Sequence, residues 1–251
     1  MAKAVALNDN NKAVKTNLFL GEKLLKKTAN HFGIKSEIEG VPSAALGTSG
    51  VKVIEMVNAY SRIASGGKAL EPVFIKKIEN HKGEVIYEAP TIQDTVLDSN
   101  QAFILTSMLT GIFNKDLNGY ATVTGSSLIP KLSRQYAGKS GTTETDSWMI
   151  GYSPELVTGV WTGYDQGKKL TSTTERMYAK NIWADAMENS LQKSSINVFE
   201  STSDEIIAVK INPESGKIAT KDCPKAVVTH FIKGTEPTEY CTLHLDNADE
   251  Q

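Results

Sequence analysis

The sequence predicts a mixed α/β (α+β) protein in which an antiparallel sheet packs between helices and a small β-rich tail follows. Two observations carry this. Residues 146–154 and 156–164 are rich in apolar, aromatic and β-branched side chains, and Ser153-Pro154-Glu155 is the turn between them. Elsewhere apolar residues recur at helical spacing, as in Val53, Met56, Val57, Tyr60, Ile63 and Ala64.

The elements follow in order. Residues 2–20 read as a helix broken at Asn8-Asp9-Asn10-Asn11, because short polar side chains compete for backbone hydrogen bonds. Gly21 punctuates. Residues 22–32 form an amphipathic helix with Leu24, Leu25, Thr28, Ala29 and Phe32 on one face, and Gly33 stops it. Residues 41–48 are a loop with Pro42 and Gly47. Thr48 or Ser49 is placed to cap the helix that begins near Val53, and Gly66-Gly67 ends it. Residues 72–78 and 84–87 predict a hairpin around Asn80-His81-Lys82-Gly83. Asp98 or Ser99 caps a helix that reaches about Phe113. Residues 119–130 are a second helix or a loop of small residues. Residues 174–191 form a long amphipathic helix with Ala179, Ile182, Trp183, Ala186 and Met187 on one side. Residues 190–203 are Ser/Asn/Gln-rich, with only Val198-Phe199 apolar. Residues 206–211 and 218–220 predict a small hairpin around residues 212–217. The chain therefore divides into residues 1–193, a linker at 194–203 and a tail at 204–251.

Composition excludes several classes. With 40% hydrophobic and 22% charged residues, the 251-residue chain has the balance of a globular protein. A net charge of -2 gives no electrostatic case for nucleic acid or an anionic membrane. No apolar run reaches the ~18 residues of a membrane helix. The start, Met1-Ala2-Lys3-Ala4-Val5-Ala6-Leu7, is too short an apolar stretch for a signal peptide, so nothing in the chain itself would export it. Cys223 and Cys241 are a disulfide or two free thiols; a closed loop between them would be worth roughly 3 kcal/mol at most. A metal site from Cys223, His230, Cys241 and His244 is the sharper reading, but it lacks a paired Cys-x-x-Cys knuckle.

The chemistry centres on Ala137-Gly138-Lys139-Ser140-Gly141-Thr142-Thr143. One lysine lies on a predicted strand beside the hairpin, hydroxyls follow it, and Gly141 lets a ligand's backbone approach closely. Downstream come Asp146-Ser147-Trp148, Gly151-Tyr152-Ser153-Pro154 and Gly159-Val160-Trp161. Upstream lie Ala45-Leu46-Gly47-Thr48-Ser49 and Glu55-Met56-Val57-Asn58-Ala59-Tyr60. Taken in order, these runs resemble the penicillin-binding transpeptidases, in particular the bifunctional class A members, from about Ala2 to His244.

The resemblance implies a β-lactamase/transpeptidase-like fold, N-terminally truncated. It implies a reaction in which a serine attacks a D-Ala-D-Ala stem peptide, an acyl-enzyme forms, and a second chain's amine takes the acyl group to crosslink peptidoglycan. By resemblance Lys139 supplies positive charge, the hydroxyls of Ser140 and Thr142 bind the substrate carboxylate, and the Thr142 backbone N–H is half of an oxyanion hole. Gly141 and Thr143 complete that substrate-binding strand. Asn10 holds the position that hydrogen-bonds the substrate backbone. Asn8 stands where the family has a serine, and an amide does not readily relay a proton as a hydroxyl does.

The family's first motif, Ser-x-x-Lys, has no counterpart before Asn8. Ser49-Gly50-Val51-Lys52, Ser65-Gly66-Gly67-Lys68 and Ser190-Leu191-Gln192-Lys193 all follow it, at a helix start, a glycine turn and a helix end. The expectation is a transpeptidase fragment that is inactive alone and exposes apolar surface and a sheet edge. The alternatives are a non-catalytic D-Ala-D-Ala or β-lactam-binding remnant, and a DD-carboxypeptidase or β-lactamase of the same superfamily. Expected partners are stem peptides and β-lactams, at the extracellular face of a membrane reached through an N-terminal anchor outside this sequence. No metal or organic cofactor is implied.

Overall fold

The structure, a computed structural model, describes residues 1–90 and 94–244. Helices α1 (Ala2–Leu7), α2 (Asn10–Leu20), α3 (Glu22–His31) and α4 (Val53–Ala64) come first. A short hairpin follows, β1 (Lys77–Glu79) with β2 (Val85–Glu88), and then α5 (Ser99–Thr110). The meander β3 (Ala137–Thr142), β4 (Asp146–Tyr152) and β5 (Val157–Gly163) leads into α6 (Thr173–Leu191). The tail holds β6 (Ile206–Ile211) and β7 (Val227–Ile232).

The meander is antiparallel in the order β3-β4-β5, so β3 is an edge. Side chains alternate across it. Opposite partners Ser140, Met149 and Val160 share one face; Lys139, Ile150 and Gly159 share the other. Helix α6 covers the Met149 face. Its buried stripe runs Ala179, Trp183, Met187 and Leu191 at four-residue spacing, with Ala184 alongside. Ile182 falls off that stripe and is 49% exposed, contrary to the sequence reading. Trp183 stacks on Phe113 at 5.9 Å and meets Tyr136 edge-on at 5.3 Å. The opposite face packs against α4 and α5 through Ala137, Tyr152, Ile63 and Leu109. A Cβ on Gly159 would stand 2.4 Å from Val57 Cγ2, and one on Gly151 would stand 2.5 Å from Trp183, so these two glycines set how closely the helices approach the sheet.

Three local readings are corrected. Neither Thr48 nor Ser49 caps α4: Lys52 is its N-cap without a side-chain bond, while Ser49 Oγ accepts from the Glu39 N–H. On α3, Leu25, Ala29 and Phe32 lean on the Ile34–Ile38–Ala44–Ala59 cluster, but Leu24 is exposed. The strand Ile206–Ile211 pairs along its length with Val227–Ile232, and the expected 218–220 partner meets only its end, through the Ile211–Ile218 bridge and Ala219 N–H to Lys210 O. The turn over residues 212–217 is present, closed by Asn212 N–H to Lys217 O. Its return segment is too short to pair with six residues.

Residues 194–203 carry no regular structure but are tied down. Phe199 N–H donates to Gln135 Oε1, Asn197 donates to Glu155, and the Phe199 ring packs edge-on against Tyr152. Arg62 is a buried hub that sequence reading did not single out. Its guanidinium donates to His31 O, Leu70 O and Glu71. Gly33, at φ 88°, leaves room for it.

Candidate active site

The helix break predicted at residues 8–11 is a shaped corner. Asn8 ends α1 in the left-handed conformation, φ 54° and ψ 51°, which asparagine tolerates better than most residues. Asp9 then caps α2, accepting from the Lys12 N–H at 3.0 Å. That bond, helped by the Tyr120 hydroxyl, holds the Asp9 carboxyl below its ordinary range. The corner presents Asn8 to solvent on one side and to β3 on the other.

Lys139 Nζ donates to Asn8 Oδ1 at 2.7 Å and to Ser140 O at 2.5 Å. Residues 131 positions apart thus meet across the two motifs. Withdrawal from water pushes the Lys139 amine down to about 8, and the Lys180 charge adds to that effect. Lys180, on α6, donates to Thr124 O at 2.8 Å and is itself lowered by burial. No motif pointed to Lys180. Its position one residue after buried Ala179 is the signal that could have found it.

Around Lys139 the predicted set divides. Ser140 is buried and Thr142 exposed, and by register both lie on the face opposite Lys139. Thr143 N–H donates to Asp146 O, so by alternation the Thr142 N–H points to that open edge. The Thr143 hydroxyl accepts from the Thr145 and Asp146 N–H groups and closes the turn. A Cβ on Gly141 would meet nothing nearer than Trp148 Cβ at 3.6 Å, an ordinary contact. Gly138 differs, since a Cβ there would lie 2.9 Å from Ile150 O. The protein's own packing therefore requires Gly138 and not Gly141. Asn10 opens α2 with an exposed side chain beside the corner.

None of the three Ser-x-x-Lys strings joins this group. Ser65 Oγ donates to the Arg62 and Lys68 carbonyls. Ser49 receives the Glu39 N–H. Ser190 lies ten residues beyond Lys180 on α6, about 15 Å along the helix axis. A cavity of about 170 Å³ between α5, Phe199 and β7 is lined by Phe103, Ser107, Gln135 and His230 and holds none of the Lys139 group.

The site is thus an open edge strand that carries a desolvated lysine on one face and the Ser140 and Thr142 hydroxyls on the other. The sequence profile of the penicillin-binding protein transpeptidase domain matches residues 1–188, and that of the penicillin-binding protein 1A C-terminal domain matches residues 202–246. This chain belongs to the penicillin-binding transpeptidase family, in its class A region. It is 48% identical to penicillin-binding protein 2D of Bacillus subtilis over 96% of its own length and 35% of that protein's. A crystal structure of penicillin-binding protein 1A from Haemophilus influenzae superposes with a TM-score of 0.83, covering 96% of this chain and 41% of that one at 22% identity. Penicillin-binding protein A of Mycobacterium tuberculosis, solved as its penicillin G acyl-enzyme complex, matches with a TM-score of 0.58, covering 75% of this chain and 48% of that one at 18% identity. The chain spans about a third of the length of the Bacillus relative.

Proposed function

We propose that this chain supplies the carboxylate-recognition and oxyanion side of a peptidoglycan DD-transpeptidase site, and that by itself it recognises stem peptides and β-lactams without acylating. The observation that carries this reading is the Lys139–Asn8 contact at 2.7 Å beside the open β3 edge. The Lys139 ammonium and the Ser140 and Thr142 hydroxyls receive the terminal carboxylate, Asn10 receives the peptide backbone, and the Thr142 N–H is aimed at the carbonyl oxygen. Acylation needs a serine with a base at hydrogen-bond reach. The hydroxyls of Ser49 and Ser65 are engaged elsewhere, and no Ser-x-x-Lys string joins the Lys139 group. In this reading residues 1–193 are the recognition part, 194–203 a tether and 204–251 an accessory tail, acting at the outer face of the cytoplasmic membrane.

A second reading, a ligand-binding remnant of the same lineage, is favoured by Asn8, whose amide does not replace a serine as proton relay. The test is intact mass after incubation with a labelled β-lactam, beside equilibrium binding of the same compound. We expect no covalent adduct and reversible binding that Lys139→Ala abolishes. A stoichiometric adduct mapped to a serine of this chain would overturn the proposal, as would the absence of any binding by the folded chain.

A further inference from the structure

The tail brings together three side chains that the transpeptidase reading leaves unused. Cys223 Sγ, Cys241 Sγ and a ring nitrogen of His244 lie within 4.8 Å of one another. His230, which the sequence suggested as a fourth member, is elsewhere: its Nδ1 is 2.9 Å from Ser107 Oγ, and its ring meets Phe103 edge-on. We propose that Cys223, Cys241 and His244 form a binding site for a thiophilic divalent cation, zinc being the ion whose chemistry it fits.

The geometry supports this at each ligand. For tetrahedral zinc with Zn–S of about 2.3 Å and Zn–N of about 2.0 Å, the sulfur-to-nitrogen edge is about 3.5 Å. Cys241 Sγ stands 3.7 Å from His244 Nδ1. The backbone fixes both thiols. Cys241 N–H donates to Ile218 O, and Cys223 N–H donates to Thr220 O. Thr220 N–H points back at Cys223 Sγ at 3.4 Å, the kind of outer bond that steadies a metal thiolate. Cys241 is 1% exposed, while Cys223 and His244 are half-buried. Glu214 Oε2 lies 4.0 Å from His244 Nε2, on the side where a carboxylate orients a ligating imidazole. Asn212 Nδ2 makes a long 3.4 Å contact with His244 Nδ1, which the ion would replace.

Two thiols and one neutral imidazole binding the ion would release two protons and leave the site without net charge; a water completes four-coordination. A disulfide accounts for the two sulfurs but gives His244 no role. The tail also needs a staple. Its sheet has two strands, and units of this size rarely bury enough apolar surface to hold themselves together.

The test uses the full chain, purified with a thiol reductant, loaded with zinc and dialysed against metal-free buffer. About one zinc per chain is expected to remain, and cobalt in its place is expected to show thiolate-to-metal charge-transfer bands. His244→Gln, at a partly exposed position, is expected to keep the circular dichroism of the parent and lose at least about tenfold in zinc affinity, and Glu214→Gln a similar order. Cys223→Ser is expected to lose the charge-transfer intensity of one thiolate. Three results would each overturn the proposal. These are no zinc retained by the parent chain, retention unchanged in both His244→Gln and Cys223→Ser, or a Cys223–Cys241 disulfide that forms in air despite excess zinc.

Discussion

Lys139 connects the sequence motif to chemistry most directly. Its amine is held near 8, so it is a cation at neutral pH but close to losing that charge. The affinity for a carboxylate ligand is therefore expected to fall above about pH 8, by about tenfold per pH unit while one proton governs it. Binding above that pH should take up a proton, which calorimetry in buffers of different ionisation enthalpy would register. For folding the sign is opposite. The folded value lies below the unfolded one, so the Lys139 contribution to stability rises as pH climbs from about 8 towards the unfolded lysine value of about 10.4. The two glycines beside it separate packing from function. Gly138→Ala meets Ile150 O and is expected to destabilise by about 1–3 kcal/mol in urea unfolding. Gly141→Ala is expected to leave stability nearly unchanged, since its Cβ would meet Trp148 Cβ only at an ordinary 3.6 Å, and to weaken β-lactam binding if the proposed strand receives the ligand.

At the level of elements, α6 owes its start to a reciprocal cap. Ser172 Oγ accepts from the Glu175 N–H, and the Glu175 carboxylate accepts from the Ser172 N–H. Ser172→Ala is expected to cost about 1 kcal/mol, read as a lower Tm. Hydrogen bonds from the Tyr164 hydroxyl and the Ser172 and Thr171 N–H groups hold the Glu175 carboxyl down at about 2. The cap should therefore keep its charge until pH falls towards that value. The sequence made the meander legible, because Ser153-Pro154-Glu155 sits between two strand-like runs with no other partner in reach. It made the break at Asn8-Asp9-Asn10-Asn11 legible because such side chains compete with helix backbone. It did not reveal that Ile206–Ile211 pairs along its length with Val227–Ile232 and only at its end with the nearer 218–220 segment, since alternation states which face is apolar and not which strand lies beside it. Strand alternation already divides Lys139 from Ser140 and Thr142, and the Thr143 turn is local, but the arrival of Lys180 depends on how α6 docks, which no local pattern encodes.

Over the whole molecule, stability concentrates where α6 meets the sheet. Trp183 is fully buried between Phe113, Tyr136 and Gly151, and Trp183→Ala is expected to cost about 3–5 kcal/mol in chemical denaturation. Large apolar side chains also stand in solvent, among them Phe19 at 88% and Phe74 at 86% exposed. With the β3 edge open, they give the isolated chain a surface that favours association. The contact between Lys139 and Asn8 has a consequence in time. The β3-β4-β5 meander forms from neighbours in sequence, and its loops close cheaply. The Asn8 corner must cross 131 residues to reach the same strand, and closing so long a loop is slow. The order of folding is therefore expected to run from the sheet outward. Trp183 fluorescence should mature first, and ligand-binding competence should appear as a later, slower phase.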